Sequence, residues 1–151
     1  MKPSDLRIGN LVTVNSPEYW PQLKGIVLEV IGINQCKPVE GRENTDYAVQ
    51  LIDRKNYKQT YSQFICFIEP IKCDEGRLLD LGFEITYSSN YRLKLDHNTH
   101  TEIGFDFSKT PEKSMEGFRY YGKYIKKEFV HEVQNLFNDL IGEELVLQVL
   151  I

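Results

Sequence analysis

The sequence has few cysteines and no long apolar run. Its three cysteines, Cys36, Cys66 and Cys73, form no Cys-x-x-Cys pair, which fits reduced thiols better than a disulfide framework. Cys66 lies in the run FICFIEPI, so we expect it to be a small buried residue of a strand. No apolar run approaches the roughly 20 residues that cross a bilayer, and the opening MKPSDLRIGN lacks the apolar core of a signal peptide. These absences predict a cytoplasmic protein that does not insert into a membrane.

The common catalytic signatures are also absent. The chain contains no G-x-G-x-x-G, no Walker-type G-x-x-x-x-G-K-S/T, no G-x-S-x-G, no H-E-x-x-H and no EF-hand loop. The nucleotide-dependent, serine-hydrolase and zinc-protease classes are therefore not supported by the sequence. We predict no cofactor and nominate no catalytic residue.

Acidic residues outnumber basic ones, yet one stretch is strongly basic. The net charge of −4 argues against a surface that binds polyanions everywhere, but residues 118–127, FRYYGKYIKK, carry four basic residues and no acid. Along a strand, neighbouring side chains alternate between faces, so the rings of this stretch would be divided between core and surface. A strand leading into a helix is therefore favoured. The alternative is a nucleic-acid surface formed by rings and cations of this stretch, namely Arg119, Tyr121, Lys123, Lys126 and Lys127.

The first half of the chain has the pattern of short strands joined by polar loops. Runs rich in β-branched residues predict strands at residues 11–14, 25–33, 47–52 and 63–71. Loops that contain proline and glycine lie between the first run and the second and between the second and the third. Four or five strands joined in this way predict a small, half-open SH3-like β-barrel over residues 1–72.

The second half begins with a short helix and a sheet. Asp74 can cap a first helical turn and Gly82 can end it, so a short linking helix is expected between them. Alternating apolar and polar residues then predict an antiparallel sheet with strands at residues 83–87, 91–96, 102–107 and 118–122.

Residues 128–142 carry the clearest helical pattern. Apolar residues recur at three- and four-residue steps up to Gly142, which predicts an amphipathic helix packed on the preceding sheet. The closing run ELVLQVLI predicts a last strand. The chain is thus expected to be an α+β protein in which residues 73–151 and the N-terminal barrel form one folding unit.

The loop SPEYWPQLKG, residues 16–25, holds the only tryptophan. Tyr19 and Trp20 lie there between Pro17 and Pro21, and long loops flank the ligand groove of SH3-like barrels. Exposed Trp and Tyr are favoured binding anchors, although a lone tryptophan can also fold back and cap the barrel. Both alternatives remain open at this point.

Two of the three histidines lie in DHNTH, residues 96–100. His97 and His100, with Asp106 one strand later, could hold a metal. Two ligands in a hairpin turn do not complete a zinc site, and Asp, Asn and Thr are common in turns because their side chains bond to nearby backbone. A solvated turn is therefore favoured, and no metal is predicted.

Several segments together resemble a known family. They are DLRIGNLV at residues 5–12, IEPI at 68–71, LLDLGFE at 78–84 and VHEVQNLFNDLIGEEL at 130–145. They are similar to a family of small uncharacterised bacterial proteins, carried largely by phages and mobile elements, that open with L-R-I-G-N and close with V-H-x-L-Q-N-L-(Y/F)-x-x-L-T-G-x-E-L. Val133 stands here in place of the usual leucine and Ile141 in place of the usual threonine.

The resemblance implies an intracellular accessory protein without an assigned activity. It marks His131, Gln134 and Asn135 as motif positions of unknown role. On a buried helix flank, such side chains tie a helix to adjacent backbone more readily than they perform chemistry.

These patterns predict a non-enzymatic binding module that recognises a protein partner through Tyr19, Trp20 and the barrel face. The partner is expected to be another phage or mobile-element product. Nucleic-acid binding through residues 118–127 is the first alternative, and a metal-dependent enzyme around His97 and His100 is the second. The sequence leaves the oligomeric state open.

Overall fold

The chain divides into two compact units. A computed structural model describes residues 1–16, 20–56, 59–85, 91–93, 105–110, 115–120 and 123–146, with side chains throughout except at 105–110, 115–120 and 123–124. The first unit comprises Met1–Ile71 and Phe129–Glu144, and the second comprises Lys72–Glu128 and Leu145–Ile151. Both contain an antiparallel sheet and a helix, so the predicted α+β class is confirmed.

The first unit contains a five-stranded antiparallel sheet in the order β4-β3-β2-β1-β5. Its strands are β1 (Leu11–Val14), β2 (Leu28–Gln35), β3 (Tyr47–Asp53), β4 (Thr60–Phe64) and β5 (Ile68–Pro70). Within the part of the chain that the structure describes, β4 and β5 are the two edges, and no ladder between them closes the sheet into a barrel.

Alternation along these strands builds the core of the first unit. Six aliphatic side chains of this core cluster lie on β1, β2 and β3 and are at most 2% exposed: Val12, Val14, Leu28, Val30, Val49 and Leu51. Each contributes about 1.5–3 kcal/mol by leaving water, so this cluster is the main stabilising element of the unit. β2 has a bulge between Val30 and Gly32, and a Cβ at position 32 would lie 2.8 Å from Oε1 of Gln50, so a larger residue there would make that flexible side chain shift.

The predicted single strand at residues 63–71 is wrong. The structure divides this run into the end of β4, a 3-10 turn at Ile65–Phe67, and β5. The turn changes which side chains face inward, so Ile65 is buried while Cys66 is exposed, contrary to the prediction for that thiol. A hydrogen bond of 2.9 Å from the Asn15 N–H to the Phe67 carbonyl fixes the turn against the end of β1.

The second unit begins with the predicted short helix, α1 (Glu75–Asp80). Oδ1 of Asp74 accepts a hydrogen bond from the Arg77 N–H at 2.9 Å, and Gly82 follows the helix with a φ of 88°. Both signals that predicted this helix act as expected, the first by capping an otherwise unpaired amide and the second by adopting the left-handed conformation.

The sheet of the second unit is a meander in the order β10-β9-β8-β7-β6. Its strands are β6 (Glu84–Ile85), β7 (Tyr91–Leu93), β8 (Phe105–Thr110), β9 (Met115–Tyr120) and β10 (Lys123–Ile125). The predicted antiparallel sheet is confirmed, and the strand predicted at 118–122 coincides with the end of β9, which begins earlier, at Met115; residues 121 and 122 lie outside the described residues. Residues 147–151, where the predicted last strand would continue, lie outside the described residues.

The predicted C-terminal helix is α2 (Val130–Ile141), which ends at Gly142 with a φ of 80°. The Glu132 carboxylate accepts a hydrogen bond from the Phe129 N–H at 3.1 Å, which satisfies one amide at the start of the helix. We expected α2 to pack on the C-terminal sheet. It belongs instead to the first unit, because it lies against the start of β1 through the polar contacts described next.

Candidate functional site

The motif position Gln134 holds the N-terminal segment against α2. Its side chain is buried, its Oε1 accepts a hydrogen bond from the Leu11 N–H at 2.9 Å, and its Nε2 donates to the Gly9 carbonyl at 3.0 Å. Gly9 has a φ of 90° and donates its own N–H to the Val30 carbonyl at 2.7 Å. One side chain of α2 therefore satisfies two backbone groups where β1 begins.

Asn135 makes a second connection to the same segment. Its Oδ1 accepts a hydrogen bond from Nδ2 of Asn10 and its Nδ2 donates to the Asp5 carbonyl, both at 2.9 Å. On the next turn of α2, the Asp139 carboxylate pairs with Arg7 at 2.7 Å. The segments LRIGN and VHEVQN, far apart in the chain, thus form one polar contact.

His131, the remaining motif position, is also part of the packing of α2. It is buried, and its ring stacks on Phe129 with centroids 6.0 Å apart and an interplanar angle of 20°. Gln134 and Asn135 therefore tie α2 to adjacent backbone, as the sequence favoured, whereas His131 shows burial and a ring contact. We next consider another part of the first unit.

A groove of about 390 Å³ lies along β4 in the first unit. Its lining comes from the loop after β1, the loop after β2, the start of β3, the end of β4 and the 3-10 turn. The residues are Trp20, Val39, Arg42, Ala48, Ser62, Gln63, Phe64 and Phe67. Three aromatic rings with a few polar groups are the composition typical of ligand pockets.

Trp20 contributes to this groove as a partly packed, partly open ring. It lies edge-on to Tyr61, with centroids 5.9 Å apart and an interplanar angle of 76°, and 37% of its surface is exposed. The contact with Tyr61 restrains the indole, while more than a third of the Trp20 surface stays exposed. Tyr19, the other predicted anchor, lies outside the described residues.

Gln63 is the residue that sequence reasoning missed. It is only 5% exposed, and its Nε2 finds no hydrogen-bond partner among the described residues. Its position in the sheet is directly opposite the core residue Val49, where an apolar side chain would be expected. A buried amide without a partner costs about 1–3 kcal/mol, which singles out Gln63 within the groove. The signal is the strand register, which the sequence alone does not give.

The predicted nucleic-acid stretch is divided by the register of the second sheet. Arg119 lies opposite Asp106 on one side and Tyr124 on the other, whereas Phe118 lies opposite Phe107. Opposite residues share a face of the sheet, so the register places the basic position 119 on the same face as the acidic position 106, and positions 118 and 107 on the other. Nucleic-acid binding stays a prediction, without a structural observation that favours it.

The two lysines that follow β10 differ in their contacts and exposure. Lys126 forms an ion pair of 2.7 Å with Glu128, and Lys127 is half-buried. The side chain of Lys123 and the whole of Tyr121 lie outside the described parts. At least one of the predicted phosphate-binding cations is therefore engaged by a neighbouring carboxylate.

Replacing Lys126 with methionine is expected to raise the pKa of Glu128 towards its ordinary value. The hydrogen bond and charge of Lys126 are the main reasons why the pKa of this carboxyl is lowered, and the charge of Lys72 adds a smaller effect in the same direction. Carboxyl NMR shifts recorded across a pH series measure the change. The matched variant Lys127→Met should leave the pKa of Glu128 where it is in the wild type, and an equal rise in both variants would contradict this assignment.

Neither a metal centre nor a membrane span is found in the described ranges. No group of three or more His, Cys, Asp or Glu residues there could hold an ion, and no helix there is long and apolar enough to cross a bilayer. His97, His100 and the side chain of Asp106 lie outside those ranges, so the metal alternative stays a prediction.

Comparison with known proteins adds no relative. No protein-family model matches the chain, and no curated protein or solved structure is significantly similar to it. The functional conclusion therefore rests on the geometry of the first unit.

Proposed function

We propose that the protein is a non-enzymatic protein-binding module that takes a peptide segment of its partner into the groove along β4. The observation that carries this proposal is the buried Gln63 amide: Gln63 lines a groove with aromatic rings, and its Nε2 is shielded from solvent without a hydrogen-bond partner among the described residues, so the amide has to turn towards the groove to donate. A bound peptide carbonyl would satisfy that donor, so the cost of leaving it unpaired in the free protein is recovered on binding.

The remaining lining residues support binding more than catalysis. Trp20, Phe64 and Phe67 provide the large aromatic surface that dominates binding energy at protein interfaces. Among the described residues, the groove lining includes no His, Cys, Asp or Glu, the side chains that most often serve as nucleophiles or general bases. Ser62 accordingly has no candidate base beside it within the groove lining.

We further infer that the first unit is a half-open SH3-like barrel. The strand order β4-β3-β2-β1-β5, the bulged β2 and the 3-10 turn between β4 and β5 all support this assignment. In such barrels the ligand groove lies between the loops that follow the first two strands. Trp20 comes from the first of these loops, and Val39 and Arg42 come from the second.

The resemblance to phage and mobile-element proteins suggests the setting of this activity. We propose a cytoplasmic accessory protein whose partner is encoded by the same element. This part of the proposal rests on the LRIGN and VHEVQNL segments, independently of the groove.

Selection from a displayed library of short random peptides tests the proposed function. Wild-type protein should enrich a consensus sequence, and Trp20→Ala should bind the consensus peptide about tenfold or more weakly, because an aromatic anchor contributes at least that much. Fluorescence anisotropy with the labelled peptide measures the affinities. Ile8→Ala is the matched control, because Ile8 is an exposed apolar residue of the same unit that does not line the groove.

Two results would contradict the proposal. One is the absence of any peptide enriched by wild type over Trp20→Ala. The other is a consensus peptide whose affinity falls equally in Trp20→Ala and Ile8→Ala, since the groove would then have no special part in binding.

A further inference from the structure

We infer that Thr45 is a positioning residue of the groove, because its buried hydroxyl holds the turn Val39–Arg42 in the conformation that binds the peptide. This inference rests on the proposed function, since it describes how one part of the same groove is kept ready for its ligand. Among the described residues, Thr45 does not line the groove itself, so it acts through the two residues of the turn that do.

The loop between β2 and β3 contributes a tight turn to the groove. Val39 and Arg42 are the first and last residues of that turn, and both line the groove. The Arg42 N–H donates to the Val39 carbonyl at 3.1 Å, which closes the turn. Gly41, the third residue, has a φ of 78°, the left-handed value that a type II turn requires at that position. The part of the groove wall that comes from this loop is therefore a single β-turn.

The Thr45 hydroxyl bonds to both ends of this turn. Its Oγ1 accepts a hydrogen bond from the Val39 N–H at 2.8 Å and donates to the Arg42 carbonyl at 3.3 Å. These are the backbone groups of the two end residues that the turn's own hydrogen bond does not use. A hydroxyl suits this place because it accepts and donates at once.

Thr45 is itself firmly placed at the base of the loop. It is 1% exposed, whereas Cys36 is half-buried and residues 37–44 and Asp46 are exposed. The Thr45 carbonyl accepts a hydrogen bond from Sγ of Cys36 at 3.2 Å, and the Cys36 N–H donates to the Asp46 carbonyl at 2.8 Å. An exposed turn is thus attached to the end of the sheet through a buried hydroxyl, where water does not easily replace a lost hydrogen bond.

This attachment links the hydroxyl to peptide affinity. A peptide binds only those molecules in which the turn has the binding conformation, so the apparent dissociation constant rises as that fraction falls. Removing the hydroxyl takes one partner from each end of the turn and lets it sample other conformations. The peptide must then order the turn as it binds, and that cost weakens binding.

Replacing Thr45 with valine tests this inference, because the change removes the hydroxyl and keeps the size of the side chain. The consensus peptide should bind about tenfold more weakly, as it would if the turn were correctly placed in about a tenth of the molecules. Thr45→Ser retains the hydroxyl and should bind within about twofold of wild type. Fluorescence anisotropy measures the affinities, and urea denaturation establishes that each variant is folded under the binding conditions.

The matched control is Thr13→Val. Thr13 is a threonine of β1 in the same unit, its hydroxyl donates to the Glu69 carbonyl at 3.4 Å, and it does not line the groove. Its replacement should leave the affinity for the peptide unchanged.

Amide hydrogen exchange supplies a measurement that does not depend on a variant. In the free wild-type protein, the Val39 N–H should exchange at least about tenfold more slowly than an unstructured amide. In Thr45→Val this protection should be lost, while the Val30 N–H, which donates to the Asn10 carbonyl at 2.8 Å, should keep its protection. Exchange of the Val39 N–H at the unstructured rate in free wild type would overturn the inference, even if Thr45→Val did not fold.

The binding outcomes separate this inference from the proposed function. Weaker binding by Thr45→Val, with near-normal binding by Thr45→Ser and Thr13→Val, supports the positioning role. Wild-type affinity in Thr45→Val, alongside weak binding by Trp20→Ala, overturns that role and leaves the proposed function intact. Equal weakening in Thr45→Val and either of the other threonine variants also overturns it, since the hydroxyl would then not be the cause. Failure to select any Trp20-dependent peptide overturns both proposals.

Discussion

Replacing Gln134 with alanine is expected to lower the free energy of unfolding of the first unit by about 2–4 kcal/mol. The substitution removes two buried hydrogen bonds of the side-chain amide, to the Leu11 N–H and to the Gly9 carbonyl. Positions 9 and 11 are buried, so water cannot easily replace the lost partners. The effect should be large because two buried groups lose their partner at once.

Urea denaturation followed by tryptophan fluorescence measures this effect. Trp20 is the only tryptophan of the chain and lies in the first unit, so its emission reports on that unit. The control is Asp139→Ala, which removes the exposed ion pair with Arg7 and should cost less than about 1 kcal/mol. Equal destabilisation by the two variants would show that the buried contact of Gln134 has no special role.

Replacing Gln63 with leucine is expected to have opposite effects on stability and binding. Removing a buried amide without a partner, while keeping most of the side-chain volume, should raise the free energy of unfolding by about 1–2 kcal/mol. The same change removes the donor proposed to bind a peptide carbonyl, so the affinity for the consensus peptide should fall about tenfold. A gain in stability with a loss of function is typical of a residue retained for binding.

The matched control for this variant is Gln50→Leu. Gln50 is an exposed glutamine of β3 directly opposite Ser62, and its replacement should change the unfolding free energy by no more than about 0.5 kcal/mol. If Gln63→Leu destabilised the protein and left peptide affinity unchanged, the Gln63 amide would be a structural group satisfied inside the fold, and the groove would lose its main recognition feature.

The helices were predictable because their signals are local. The cap at Asp74, the left-handed glycines at 82 and 142 and the apolar steps of α2 lie within a few residues of the structure that they determine. What α2 packs against was not predictable, because its amphipathic pattern fits any apolar surface. The hydrogen bonds that Gln134 and Asn135 make to the N-terminal segment place α2 in the first unit.

The groove was only half predictable, for a related reason. A tryptophan between two prolines in a polar loop suggested a binding anchor, and the structure places Trp20 in the groove lining. Gln63 was not suspected, because its significance depends on lying opposite Val49 and beside an open edge, which are properties of register and strand order. The mostly apolar run at residues 63–71 also predicted one strand where the structure has the end of β4, a 3-10 turn and β5, because the pattern does not show where the turn interrupts it.

The fold also explains why two distant sequence segments occur together. LRIGN forms the turn that leads into β1, and side chains of VHEVQN make hydrogen bonds to that turn and to the first residue of β1. This contact positions β1 next to β5 and β2, and hence the start of the loop that carries Trp20. The segments that carry the resemblance thus support the scaffold, whereas the proposed recognition residues lie at the opposite edge strand and its flanking loops.

Amide NMR spectra of the wild-type protein, recorded while the consensus peptide is added, test the central claim most directly. The account predicts that the largest shifts occur at the Trp20 indole N–H, the Gln63 side-chain amide and the backbone amides of β4. Shifts concentrated in the second unit, or along α2, would contradict the assignment of the groove along β4 as the binding site.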